Sequence, residues 1–470
     1  MRQIKLSVCL FLLLVVSMFL LEKNVFGAFD QLIPQRQRGK FFTPSIRLRS
    51  EWNDNVSAKR GSAHVTQKPG IDTRANRRVK SYILYAEPKA QVRIPLDKTY
   101  LGVDYKYSFA YFTRRPNDNE DFAHDINARF IHKFSDRLNL DVKEDFVRQQ
   151  VGTIRTHDIV VRENGSFQRN TVDCALRYDI SRMFYVIGKY TNDWLNFLPY
   201  ASRTTFDYLE NRLGIEGDYI LNKDITLLAG YDFRDRRYTL RENADYDSHM
   251  IYTGTNYRMG KYFTFDATSG VDFRKHEAAT RQRGFYLNGI PEFPTQGVPV
   301  EDASVPIRVG STQGWEENPY INLRLTTNYF KDILIILNYQ YLVQTTEQTT
   351  FIDTDTQSIA AQVSYKIMPK VTVDFTAGYS IDKYHGRSYL TNYDLVTFGY
   401  PNLLPAGTVG KMVDLKNPET KSFIMGAVLS YQVTPWLFYE FGYRRTDFDS
   451  DFNTSTWERN QLFTGINAIF

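Results

Sequence analysis

Charged side chains recur at every second position along this 470-residue chain. Examples are Arg47, Arg49 and Glu51; Asp104 and Lys106; Asp141 and Lys143; Asp232 and Arg234; Asp272 and Arg274. A period of two places each set on one face of a strand. The chemistry such a face offers is a field rather than a bond-making step. Fixed cations and carboxylates along water sort solutes by charge and width. The candidate lining residues are Arg47, Arg49, Arg93, Lys106, Arg129, Asp232, Arg234, Asp272, Arg274 and Arg324. Arg47, Arg49, Arg93 and Lys106 make the first three such segments locally basic. They would either attract anions or sugar acids, or pair across strands with Glu51 and Asp104. The pairing reading is favoured, because opposite charges on adjacent strands neutralise each other.

Residues that make and break bonds are scattered. The seven histidines, at positions 64, 124, 132, 157, 249, 276 and 385, show no HExxH or other zinc-ligand spacing. There is no G-x-S-x-G element, phosphate loop or dinucleotide motif. The expectation is therefore a protein that is not an enzyme and has no metal and no cofactor. Of two cysteines, Cys9 lies in a leader and Cys174 keeps phase with Val172, Leu176 and Tyr178, as a small strand residue would. The formal charge is +5, and loss of Arg2, Lys5, Lys23 and Glu22 with the leader leaves +3. That near-balance argues against nucleic acid as a partner.

The elements that position the charges begin after a secretory signal peptide at residues 1–27. Arg2 and Lys5 precede an apolar run from Leu6 to Leu21, and Val25-Phe26-Gly27 offers small residues for cleavage. A short periplasmic segment, 28–42, follows, and the remainder, 43–470, reads as one unit. No later apolar run reaches the length of a spanning helix, and mean hydropathy is negative. Yet the chain holds 33 Phe and 32 Tyr. A transmembrane antiparallel β-barrel reconciles these facts, with an aromatic-rich phase toward lipid and a polar phase inside.

Alternating segments such as Leu101-Gly-Val-Asp-Tyr-Lys-Tyr, Ile225-Thr-Leu-Leu-Ala-Gly-Tyr-Asp-Phe and Val371-Thr-Val-Asp-Phe-Thr-Ala-Gly-Tyr fit strands and fail as helices. Eight short polar turns alternate with longer connections, giving an all-β barrel of about 18 strands, with 16 as the alternative. Both chain ends then lie on the periplasmic side and the long loops outside. The longest loops, 277–314 and 385–419, are rich in Pro and Gly and are candidates to fold inward over a pore. Trp52, Trp194, Trp315, Trp436 and Trp457 sit near strand ends, as an interfacial girdle would. Pro88 predicts a bulge in the second strand, and Glu144 falls in the lipid phase. Leu462, Thr464, Ile466, Ala468 and Phe470 share one phase at the C-terminus. A terminal aromatic there looks like the assembly signal of bacterial outer-membrane barrels.

At Trp52-Asn-Asp-Asn-Val the chain resembles the β-barrel porin type 2 family, which opens its first strand with an aromatic–x–Asp–Asn–aliphatic element. Lys68-Pro-Gly-Ile, the strand from Leu101 to Phe112 and the turn Phe134-Ser-Asp-Arg-Leu continue the likeness over residues 44–148. Beyond them only the pattern persists, and the long 277–314 loop departs from many members. The resemblance implies a Gram-negative outer-membrane barrel, with some members encoded near exopolysaccharide systems.

The function expected is a porin-like channel for passive diffusion of small hydrophilic solutes and ions. The alternatives are the barrel component of an exopolysaccharide or other secretion system, or a non-conducting adhesive or structural barrel. Expected partners are outer-membrane lipid, the barrel-assembly machinery acting on the C-terminal strand, hydrophilic solutes and a homo-oligomer.

Overall fold

The structure is a computed structural model. It describes residues 40–56, 79–115, 119–151, 154–155, 160–161, 165–197, 207–239, 245–276, 315–345, 353–385, 419–450 and 456–470. The leader and the loops 277–314 and 386–418 lie outside these residues.

Eighteen strands form one antiparallel sheet. They are β1 (Phe42–Asn53), β2 (Ser81–Pro95), β3 (Thr99–Phe112), β4 (Glu120–Lys133), β5 (Leu138–Val151), β6 (Gly165–Asp179), β7 (Phe184–Phe197), β8 (Tyr208–Asn222) and β9 (Ile225–Tyr238). The second half comprises β10 (Tyr246–Met259), β11 (Phe263–His276), β12 (Glu316–Thr327), β13 (Ile333–Thr345), β14 (Asp353–Met368), β15 (Val371–His385), β16 (Glu419–Gln432), β17 (Leu437–Ser450) and β18 (Trp457–Ile469). Each strand pairs with its chain neighbours. β1 pairs with both β2 and β18, which closes the sheet into a barrel. Closure removes every free edge.

Strands of 12 to 16 residues meet eight short turns at one end and longer connections at the other. The turns use residues that bend locally. Gly260 takes φ of 64° between β10 and β11, a conformation that costs glycine little. Ser135 and Ser181 accept hydrogen bonds from the N–H groups two and three residues on, as turn serines do. β1 starts and β18 ends on the short-turn side, where the Phe470 N–H donates to the Pro44 carbonyl at 2.9 Å.

The register fixes two phases. In one, large apolar side chains stand exposed, including Leu84, Leu213, Ile215, Ile251, Ile359 and Phe375. In the other, charged side chains are buried, including Glu51, Glu210, Arg236, Asp272 and Arg274. The first phase is the outside of the barrel and suits hydrocarbon. Its apolar character stops near the long-connection rim. There Arg237 bridges Asp235 at 2.7 Å and Asp247 at 2.8 Å, and Lys383 and Lys421 reach Glu419.

Pro88 makes no bulge. Ala86 pairs with Phe109 and Lys89 with Lys106, so the register on β3 is unbroken across it. The ladder only omits Glu87 and Pro88, because a residue without an N–H removes a bond without adding a residue. The register shifts occur instead at Ile220/Asn222 and Lys366/Met368, both beside short turns.

Candidate functional site

All ten lining candidates fall in the inner phase. Arg47 and Arg49 are on β1, Arg93 on β2, Lys106 on β3 and Arg129 on β4. Asp232 and Arg234 are on β9, Asp272 and Arg274 on β11, and Arg324 on β12. They divide into two sectors, with Arg324 on the last strand of the second.

In the β1–β5 sector each candidate cation meets a carboxylate. Arg47 reaches Glu440 at 2.5 Å and Glu87 at 3.6 Å. Arg93 reaches Asp104 at 2.5 Å, and Lys89 approaches the same carboxylate at 3.8 Å. Lys106 pairs with Asp125 at 3.1 Å. Arg129 grips Asp141 through two nitrogens, at 3.1 and 2.7 Å. Arg49 pairs with Glu51 at 3.5 Å and lies over the rings of Tyr85 and Phe463. The locally basic start of the chain is thus neutralised, across strands for Arg47, Arg93 and Lys106 and within β1 for Arg49. Apart from the buried Glu51 these groups are partly exposed, and pairs of that kind contribute modestly to stability.

The β6–β12 sector is deeper. Arg236 is 0% exposed and Glu210 1%; they form a close ion pair across β8 and β9. Glu210 also takes Arg212 at 3.0 Å and Arg234 at 3.7 Å. The Arg236 guanidinium stands 4.5 Å from the Tyr208 ring. Arg274 stands 4.5 Å from the Tyr246 ring and pairs with Asp272 at 3.0 Å. Asp193 is held by both nitrogens of Arg169, by the Thr171 hydroxyl and by the Tyr208 hydroxyl. Lys189 meets Glu216 at 2.7 Å, and the Tyr252 hydroxyl donates to the same carboxylate at 2.9 Å. Charges this dry persist only when compensated; removing one partner leaves a buried charge costing roughly 3–5 kcal/mol.

The sector β14–β16 is different. Its inner face is rich in hydroxyls and small residues. Ser364 donates to Asp374, Thr356 to Asp382, and Ser380 shares a hydrogen bond with Ser422. The barrel wall is therefore chemically polarised around its circumference.

Glu210, Arg236, Asp193, Arg169 and Lys189 were not among the candidates, although they share the inner phase. On β9 the candidates end at Arg234, one inner position short of Arg236. Extending the same parity to the strand's end at Tyr238 finds it.

The tryptophans separate. Trp52 and Trp194 are in the outer phase near the long-connection end. Trp315, half exposed, packs against His249 with centroids 5.1 Å apart. Trp436 stacks with Phe470 at the short-turn end. Trp457 lies in the inner phase, opposite Phe448, and stacks on it at 5.5 Å. Its odd number, against the even outer parity of β18, takes it off the outer face. Glu144 is in the outer phase between Ala128 and Val172, and Cys174 lies between Val142 and Tyr190. Among the described residues, no three His, Cys, Asp or Glu side chains are placed to hold a metal ion.

No family model matches the chain, and no curated protein matches it. Among solved structures, the chain is similar to the outer membrane protein opdK from Pseudomonas aeruginosa, at 10% identity over 91% of this chain and 99% of that one, TM-score 0.43. It is similar to OccAB4 of Acinetobacter baumannii at 10% identity, 93% and 100% coverage and TM-score 0.42. A BenF-like porin from Pseudomonas fluorescens gives 10% identity, 92% and 99% coverage and TM-score 0.42. At that identity and superposition they stand as likenesses alone, and the architecture rests on the barrel's own pairing.

Proposed function

We propose that this chain is an outer-membrane channel of the porin kind, through which small hydrophilic solutes and ions diffuse passively. The observation that carries this reading is the inner wall: charged side chains line the inner face of a closed eighteen-strand barrel whose outer face is apolar. A barrel of that size encloses more space than its inward side chains fill and leaves an aqueous channel. Charge at this density is stable along water and not along lipid. Because the cations are matched by carboxylates, the wall supplies weak net selection by sign and stronger selection by local field and width.

The rest of the assignment follows the same reading. Residues 1–27 direct export, the short turns face the periplasm, and Phe470 presents the last strand to the assembly machinery. Trp52, Trp194, Trp315 and Trp436 anchor the barrel in the outer-membrane lipid, and barrels of this kind can pack as homo-oligomers. The Trp52-Asn-Asp-Asn-Val opening supports placing the chain beside the β-barrel porin type 2 family.

Planar-bilayer recording of the refolded mature chain tests the reading. Stable conductance steps that scale with salt concentration are expected. A folded, heat-modifiable barrel that gives no steps would overturn it.

A further inference from the structure

Three successive inner-phase rows cross β8 to β12, and each has its own chemistry. Nearest the long-connection rim, Arg212 pairs in register with Arg234, and Arg274 continues the row on β11. The next row holds Asp232, Asp272 and Asn318, with Gly214 at its start. The third runs Glu216, Gly230, Tyr252, Gly270, Tyr320. The glycines are required by close approach. A Cβ on Gly214 would stand 2.1 Å from the Asp232 carboxylate, and one on Gly230 would stand 2.3 Å from the Tyr252 ring. Bare backbone lets Asp232 and Tyr252 lie back against the wall. A niche of about 240 Å³ remains in front of them, lined also by Leu342 and Val343.

The lining cations Lys189, Arg212, Arg234 and Arg274 stand against Glu216, Asp232 and Asp272, and Glu210 pairs with Arg212 and Arg234 from outside the lining, so opposite charges nearly match. Hydrogen-bonding capacity is left over. Asp232 Oδ1 and Asp272 Oδ1 are buried acceptors without a hydrogen-bond partner among the described residues; Arg212 Nε and Asn318 Nδ2 are buried donors in the same condition. Such groups favour a ligand that satisfies them. Donors and acceptors interleaved at one place, with opposite charges nearly matched, suit hydroxyls, since each hydroxyl both donates and accepts. The half-buried Tyr320 ring adds an apolar face beside them. The volume is below the roughly 300–1,000 Å³ of sites for drug-sized ligands, so the occupant is single-ring in size.

We infer that the niche is a binding site for a neutral, hydroxyl-rich solute of one sugar ring, a stopping point on the diffusion path. The inference rests on the channel reading for its role in transport, but the binding itself does not.

The probe is D-glucose, used in two ways on the full mature barrel. Equilibrium dialysis against the folded barrel in detergent measures binding without conduction. Bilayer recording measures saturable reduction of ion current. Glucose is expected to bind and to reduce current. In Asp232→Asn/Asp272→Asn, which keeps side-chain shape, binding should weaken about tenfold or more, since two charge-assisted acceptors are lost. Gly230→Ala, which pushes Tyr252 into the niche, should weaken binding while Gly378→Ala, on the hydroxyl-rich sector, should not. Binding without current steps would keep the niche and remove the channel. Steps without glucose binding would remove the niche and keep the channel. Glycine or glucuronate binding tighter than glucose would also overturn the inference, since the site would then select charge.

Discussion

The Asp54 carboxylate holds Asn460 from two sides. It accepts the Asn460 backbone N–H at 2.6 Å and its side-chain amide at 2.8 Å, across 406 residues of chain. The Asp54 N–H returns to the Asn460 carbonyl at 3.1 Å. Asn55, fully buried, donates its amide to the Glu458 carbonyl at 2.7 Å, and Arg459 donates back to the Asn55 carbonyl. The motif after Trp52 therefore extends the β1–β18 ladder past its last regular pair, Asn53 with Gln461. Sequence alone marked these residues as a family likeness; the fold makes them the latch at the barrel's seam.

Asp54→Ala should loosen that seam. Two hydrogen bonds to a charged acceptor are lost and the Asn460 amide loses its partner, a cost of about 2–4 kcal/mol by the usual worth of such bonds. Urea unfolding in detergent micelles, followed by loss of heat-modifiable mobility, should show a lower midpoint for Asp54→Ala than for Asp54→Asn. Equal midpoints for the two variants and the unaltered chain would show that the seam does not depend on the latch.

Ion selectivity should respond most to carboxylates that serve more than one cation. Asp104 takes Arg93, Lys89 and the Gln91 amide. Asp104→Asn leaves two cations without their counter-charge, so the reversal potential under a salt gradient should move toward anion selectivity. Adding Arg93→Gln should move it back. A shift in the opposite sense would mean that this sector does not face the conducting path.

The inner wall was legible because side-chain parity has period two and the register holds through every strand centre, so Arg47 and Arg324, eleven strands apart, both land where alternation puts them. Eighteen strands followed from eight turns with local signals such as Ser135-Asp136-Arg137. Which charges meet was not legible. Arg236 finds Glu210, and Arg47 finds Glu440, through register between strands, which alternation within a strand does not specify. Trp457 departs from the girdle pattern because nearness to a strand end does not fix parity. Pro88 suggests a bulge because a missing donor and an extra residue leave the same mark in sequence.

A glycine in the last inner row before the seam makes a packing prediction. A Cβ on Gly442 would meet the Phe463 ring at 2.2 Å, and Phe463 in turn lies beneath Arg49. Gly442→Ala should destabilise the barrel by about 1–3 kcal/mol through forced repacking. Phe463→Leu should cost less in the Gly442→Ala background than in the unaltered one, because the smaller side chain yields. Strict additivity of the two changes in a double-mutant cycle would refute the contact.

Among the described residues, Glu144 is the one carboxylate at the middle of a strand's outer face. It is the seventh residue of β5, flanked in register by Ala128 and Val172, neither of which can hydrogen-bond it through a side chain. Facing hydrocarbon, a charged side chain near the midplane is destabilising, acids less than the roughly 2–4 kcal/mol of Arg or Lys. Glu144→Leu should therefore stabilise the barrel by about 1–2 kcal/mol in reversible unfolding from lipid vesicles. The gain should shrink in short-chain detergent, where water reaches the outer face. Loss of stability in vesicles would instead place Glu144 against another polar surface, and the oligomeric state of Glu144→Leu compared with the unaltered barrel would show whether that surface is a second copy.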